Sequence, residues 1–273
     1  MAPSLSVIIP AYNEAARLGK TLRVVFEYLN RQAHDSELIV VDDGSSDETA
    51  VVAEQSLVHA SPSVSAKVIR IRPNRGKGYA VRAGLLAARA PIALFSDADL
   101  STPITEIPKL VEPIERDLSD LTFGSRALDR SLIGVHQPWR REQGGRIINL
   151  IVRLATRLPF WDTQCGFKAF RMSVCRPLIE AATIERFGFD VEYLYVAHLA
   201  GLRLSEIPVR WDHNEGSKLS VWRDTPRLLN EVRTIRRQAH HGAYREAIRA
   251  ARESAAHERE HASEVAEPVG SAE

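Results

Sequence analysis

The sequence predicts an α/β protein with a mostly parallel central sheet flanked by helices. Short apolar runs alternate with helical spacings through the first hundred residues. Such strand–helix alternation packs as a parallel sheet covered on both faces. The acidic and glycine-rich clusters follow the strand runs, and ligands of such sheets sit beyond the carboxyl ends of the strands.

The elements read in order. Leu5–Ile9 is an apolar run closed by Pro10, a buried strand. Glu14–Leu29 carries Leu18, Leu22, Val25, Phe26 and Leu29 at helical spacing. Glu37–Val41 is a second strand, ended by Asp42-Asp43-Gly44, and Ser46–Ser56 is a helix with capping residues at its start. Lys67–Ile71 and Ile92–Phe95 read as strands on either side of a helix over Gly78–Arg89. Ser131–Gly145, with Pro138, Gly144 and Gly145, is expected as a mobile loop, Arg146–Leu158 as a helix and Arg203–Trp211 as a late strand. Residues 1–237 form one domain on this reading. Residues 238–273 form a charged tail, an exposed helix fraying near Ser263, in which four of the nine histidines are surface residues.

Composition excludes several classes. The 273 residues carry 36 Lys+Arg and 35 Asp+Glu, a net charge of +1. That balance argues against non-specific nucleic-acid binding. Cys165 and Cys175 cannot make a disulfide framework and suit a reducing compartment. No apolar stretch approaches a signal peptide or a membrane span. A cytoplasmic protein is expected, one that reaches a membrane only by docking on its cytoplasmic face.

Three clusters carry the chemistry. In Pro10-Ala11-Tyr12-Asn13-Glu14, Asn13 can cap the next helix. In Asp42-Asp43-Gly44-Ser45-Ser46-Asp47, a turn and cap account for Gly44 to Asp47 but do not require Asp42. A carboxylate there can accept hydrogen bonds from a nucleobase or a ribose. In Asp97-Ala98-Asp99, residues two apart in extended chain point the same way, so the carboxylates can converge on a divalent cation. Arg75-Gly76-Lys77-Gly78 adds cations and N–H groups suited to phosphate. Its spacing is neither a dinucleotide fingerprint nor a P-loop.

Together these stretches resemble the family 2 glycosyltransferases of GT-A fold. The later segments Phe123-Gly124-Ser125-Arg126, Asp162-Thr163-Gln164-Cys165-Gly166-Phe167-Lys168, Arg186-Phe187-Gly188-Phe189-Asp190-Val191-Glu192 and Gly216-Ser217-Lys218 resemble the polyprenyl-phosphate branch. Within it they look most like dolichyl-phosphate β-glucosyltransferases, then dolichyl-phosphate mannose synthases. The resemblance covers roughly Leu5 to Arg237. It implies that Pro10, Tyr12, Glu14 and Asp42, with Val40 and Ala98 beside the carboxylates, hold the nucleoside. It implies that Asp97 contacts the donor sugar or ribose and that Asp99 ligates Mg²⁺ or Mn²⁺. Ser101 stands where the mannose synthases carry a second, glutamine ligand. Arg126 is implied near the reacting phosphates, with Lys77 and Lys218 toward the diphosphate. His213 lies where those enzymes place an arginine.

The implied reaction is an inverting transfer of glucose from UDP-glucose to a polyprenyl or dolichyl phosphate. A GDP-mannose donor, a soluble hydroxyl acceptor, or an idle nucleotide-sugar-binding protein are the alternatives. A lipid phosphate is already an anionic nucleophile and needs cations to place it, for which Arg126, Arg140 and Arg141 are candidates. A hydroxyl acceptor needs a base, and Asp190 is the candidate, against a plain reading as the N-cap of a helix over Val191–Leu199. In Arg146–Leu158, the stripe Ile147, Ile151, Leu154 and Leu158 opposite Arg146, Arg153 and Arg157 is either core-facing or a membrane contact.

Overall fold

The computed structural model describes residues 2–135, 139–213 and 221–266, with side chains left out at 139–142, 221–224 and 261–266. The N-terminal part alternates as the periodicity requires. β1 (Leu5–Ala11), α1 (Ala15–Leu29), β2 (Ser36–Asp42), α2 (Thr49–Ser56), β3 (Val64–Arg70), α3 (Lys77–Ala87) and β4 (Ile92–Ser96) follow in order. Then come α4 (Ile107–Glu115), β5 (Leu121–Ser125), β6 (Ile133–Val135), α5 (Trp139–Thr156), β7 (Phe167–Arg171), α6 (Met172–Ala181) and α7 (Phe189–Leu199). The chain continues through β8 (Leu204–Pro208), β9 (Trp211–Asp212), α8 (Val221–His240) and α9 (Arg245–Ala266).

The sheet order is β3-β2-β1-β4-β7-β5-β8, with a small β6-β9 pair apart from it. β7 runs antiparallel to β4 and β5, and the other pairs are parallel. Alternate side chains of β1 and β2 enter two cores. Ile8, Ile39 and Val41 pack with α3, α6 and α7, and Val7, Ile9, Leu38 and Val40 with α1 and α4. Burial on both faces explains why these strands read as continuous apolar runs. β1 continues through Pro10 because β4 pairs with it only as far as Ile8, leaving one side without a ladder.

Four expectations change. The expected loop over Ser131–Gly145 is helical from Trp139. Arg140, Arg141, Glu142 and Gln143 are good helix formers, and a Gly costs a helix only about 1 kcal/mol. Residues 136–138 lie outside the described residues. The single late strand is two, β8 in the main sheet and β9 in the small one. Asn13 does not cap α1. It sits at φ +53° and its side-chain oxygen accepts from the Ser46 N–H at 2.8 Å, joining the loops after β1 and β2. The C-terminal helix is not a bare tail. Tyr244, Ala251 and Ala255 are buried in the core and α9 packs on α6. Its apolar positions are mostly alanines, too weak a signal against so many charges.

Candidate active site

A pocket of about 310 Å³ opens beyond the carboxyl ends of β1, β2 and β4. Pro10, Ala11, Tyr12 and Glu14 reach it from β1, with Arg17 of α1 bonded to Glu14 at 2.8 Å. From β2 the pocket receives Asp43, not Asp42. Neighbouring residues leave a strand in opposite directions. Asp42 is buried with its carboxylate accepting from the Ser45 N–H at 3.3 Å, and Val40 is wholly buried in the core. Neither side chain lines the pocket.

Asp43 organises the next loop. Its carboxylate accepts from Asn74 Nδ2 at 2.7 Å, the Arg75 N–H at 2.9 Å and the Gly76 N–H at 2.7 Å. Burial lifts its carboxyl above the ordinary range, although those N–H groups oppose the rise. The bond to Gly76 holds φ at +115°, and a Cβ there would lie 2.5 Å from the Glu185 carbonyl oxygen. The loop thereby delivers Lys77 at the start of α3, with Nζ 2.5 Å from Asp97 Oδ1.

Asp97, Ala98 and Asp99 line the pocket from the end of β4. The Asp97 N–H donates to the Gly166 carbonyl at 3.1 Å. A Cβ at 166 would lie 2.1 Å from Asp97 Oδ2, so only glycine leaves that carboxylate its place. Asp99 Oδ1 accepts from the Ser101 N–H at 2.9 Å. Ser101 is buried behind Asp99 and its carbonyl accepts from Asp212, so the tight turn keeps it from the pocket as a metal ligand.

Beneath this lies a charged floor. Lys168 is wholly buried, with Nζ 2.6 Å from Asp190 Oδ1 and donating to the Cys165 carbonyl at 2.6 Å. Burial raises the Asp190 carboxyl above its ordinary range, against the pull of Lys168 and Lys77. Asp190 lies in the first turn of α7, whose N-cap is Gly188, so it is neither the expected cap nor a pocket-lining base.

Arg126, at the end of β5, donates to Asp162 through Nε at 2.7 Å and Nη2 at 2.8 Å. The Asp97 charge reaches it, but it does not line this pocket. Glu206 accepts from Ser125 Oγ and from the Trp161 and Asp162 N–H groups, fixing the same corner. The side chains of Arg140 and Arg141, and all of Lys218, lie outside the described residues. His213 is described and stacks beside Trp211 at 6.0 Å, away from the pocket lining.

Residue-level reasoning missed Asp43, Arg17, Asn74, Arg186 and Phe187 as pocket residues. For Arg17 the signal existed, a cation three residues after Glu14 in a helix. Arg186 and Phe187 arrive on a loop held by distant groups. The Thr183 and Ile184 N–H groups donate to Glu192, which also accepts from the Tyr244 hydroxyl at 2.6 Å. The Gly188 N–H donates to Glu231 at 2.7 Å.

The residues fit a hard divalent cation in one respect and limit it in another. Asp97 and Asp99 present two carboxylates to one pocket, and Asp97 Oδ1 meets the Lys77 ammonium there. Among the described residues no three His, Cys, Asp or Glu side chains gather into a metal cluster. Two carboxylates completed by water and phosphate oxygens match the Mg²⁺ pattern, not a closed protein cage.

The sheet, its switch in direction at β7 and the acidic pocket at the strand ends define a nucleotide-sugar transferase of GT-A fold. Solved structures support the fold. The glucosyl-3-phosphoglycerate synthase of Mycobacterium tuberculosis, in complex with Mn²⁺, UDP and phosphoglyceric acid, superposes with a TM-score of 0.61 at 18% identity. That match covers 84% of this chain and 78% of the other. The mannosyl-3-phosphoglycerate synthase of Rubrobacter xylanophilus gives 0.58 at 17%, covering 88% and 75%. The chain belongs to glycosyl transferase family 2, whose pattern matches residues 6–178, and it is a glycosyltransferase. Among curated relatives, the dolichyl-phosphate beta-glucosyltransferase of Mus musculus is 36% identical over 257 residues, 88% of this chain and 77% of the relative. The Drosophila melanogaster protein of that name is 39% identical over 229 residues, 79% and 69% of the two chains.

Proposed function

We propose that this enzyme transfers glucose from UDP-glucose to a polyprenyl or dolichyl phosphate, with inversion at the anomeric carbon. The observation that carries the reading is the similarity to dolichyl-phosphate beta-glucosyltransferases along most of both chains. The nucleoside and diphosphate enter between Tyr12, Asp43 and Asp97. Arg17, Lys77 and Arg186 supply positive charge facing the phosphates. Asp97 and Asp99 would hold Mg²⁺ or Mn²⁺, which as a Lewis acid offsets the charge that develops on the leaving diphosphate.

The Asp190–Lys168 pair favours a phosphate acceptor. A hydroxyl acceptor needs a general base within reach of its proton. Asp190 is buried, ion-paired and outside the pocket. An anionic phosphate attacks without one.

The outer face of α5 fits the lipid. Val152 is buried, and Ile148 and Ala155 pack on the core, but Ile147 is 59% exposed and Leu154 72%. Leu150 and Ile151 continue the exposed patch, and Trp161, 57% exposed, lies under the Arg153 guanidinium at 3.9 Å. Among the described residues no helix is long and apolar enough to cross a membrane. An apolar stripe with arginines at its border suits the surface of an anionic bilayer, where the acceptor's phosphate lies.

The test presents purified protein with UDP-glucose or GDP-mannose and a short polyprenyl phosphate in detergent, with Mn²⁺ or EDTA. Metal-dependent glucosyl lipid from UDP-glucose alone is the expected outcome. Product from GDP-mannose alone overturns the sugar. Donor hydrolysis without lipid product overturns the acceptor.

A further inference from the structure

Lys77 occupies ground that the reaction needs. Its ammonium lies 2.5 Å from Asp97 Oδ1, a buried oxygen, and so holds the face that a cation would take. Asp97 cannot retreat from the pocket, because it already fills the space of the missing Cβ at Gly166. We propose that Lys77 competes with the divalent cation for Asp97, so that the cation is held tightly only together with a nucleoside diphosphate. The inference rests on the reading of Asp97 and Asp99 as the cation carboxylates.

The electrostatics favour such exchange. A dication and an ammonium on one carboxylate oxygen repel each other. The cation therefore binds at Asp97 only if Lys77 moves, and Lys77 moves only if another anion receives it. Two anions could receive it. One is the donor diphosphate. The other is Asp190, whose charge already acts on Lys77 and which Lys168 pins at 2.6 Å. Charges alternate from Asp97 through Lys77 and Asp190 to Lys168, so the floor is balanced before a cation arrives. A cation alone adds two positive charges to a balanced set. A cation with a diphosphate adds compensating negative charge and frees Asp97 at the same time. Nucleotide and metal thus bind with positive coupling, and Lys77 is its source.

The experiment measures Mn²⁺ binding by electron paramagnetic resonance of the free ion, with and without UDP. Wild type, Lys77→Met, Lys77→Arg and Asp99→Asn are compared, each checked for folding by circular dichroism. Lys77→Gln replaces the Met variant if that one does not fold. Without UDP, the neutral variant is expected to bind Mn²⁺ about tenfold or more tighter than wild type, a coupling of ordinary size. UDP is then expected to strengthen Mn²⁺ binding much less than in wild type. Lys77→Arg keeps the wild-type pattern. Equal or weaker Mn²⁺ binding by the neutral variant without UDP overturns the competition while leaving the cation site in place. Absence of Asp99-dependent Mn²⁺ binding in wild type, even with UDP, overturns the cation site and the competition with it.

Discussion

The two halves of the sheet reach the site by different means. From β3 to β4 the strands are parallel, and each loop that meets the pocket follows its strand directly. Tyr12, Asp43, Asp97 and Asp99 stand within a few residues of a strand end. Their anchors join adjacent loops, as when Asp43 takes the N–H groups of Arg75 and Gly76. Beyond β4 the order is broken by antiparallel β7, and support comes from helices and loops other than the neighbouring strand ends. Arg126 depends on Asp162, and the Arg186 loop depends on Glu192, Glu231 and Tyr244. The β3–β4 half is thus set by bonds between neighbouring strand-end loops, and the other half by clasps to α7, α8 and the junction before α9.

That contrast can be broken by mutation, the largest effect first. Asp99→Asn removes a pocket carboxylate while keeping its shape. Turnover is expected to fall about 10²–10³-fold, as when a charge-stabilising group is lost, with little change in Tm. A variant that keeps full turnover in saturating Mg²⁺ ends the role assigned to Asp99. In the other half, Tyr244→Ala empties a buried aromatic site and unties Glu192. A loss of about 3–5 kcal/mol is expected from the cavity, read by denaturant unfolding, with a raised donor KM from the loosened Arg186 loop. If α9 is a dispensable tail, neither value moves.

Asp43→Asn tests the local side more gently. Charge-assisted hydrogen bonds to three donors weaken, costing about 1.5–3 kcal/mol. Donor KM should rise more than kcat falls. Acid stability separates structural pairs from the pocket. Burial would raise the Asp120 carboxyl, but hydrogen bonds and charge from Arg203 win and hold it below its ordinary range. The unfolded chain then binds the proton more readily. This stability is present above the ordinary carboxylate range of about pH 4 and fades as pH falls through it. Asp120→Asn should flatten that limb in thermal melts at stepped pH, and an unchanged limb removes the assignment. The smallest expected effect on folding comes from Ile147→Ser with Ile151→Ser. Stability should move by less than about 0.5 kcal/mol because both side chains are exposed. Sedimentation with anionic vesicles should fall severalfold, and undiminished binding removes α5 as the membrane contact.

Much of this enzyme was legible in its sequence. Buried parallel strands demand unbroken apolar runs, and loops at their ends must carry any shared ligand, so β1 to β4 and Asp97 and Asp99 followed from local pattern. A resemblance in motifs supplied the family and the residue roles. Three kinds of information were not local. Which of Asp42 and Asp43 faces the pocket depended on where β2 stops, because one residue reverses the direction of a side chain. Which face of α5 is buried depended on what packs there, since a stripe of Ile and Leu looks the same against a core or a membrane. The burial of Lys168, Glu192 and Tyr244 depended on partners brought together from distant segments. Periodicity reports what each element can bury, and only tertiary packing decides what it is buried against.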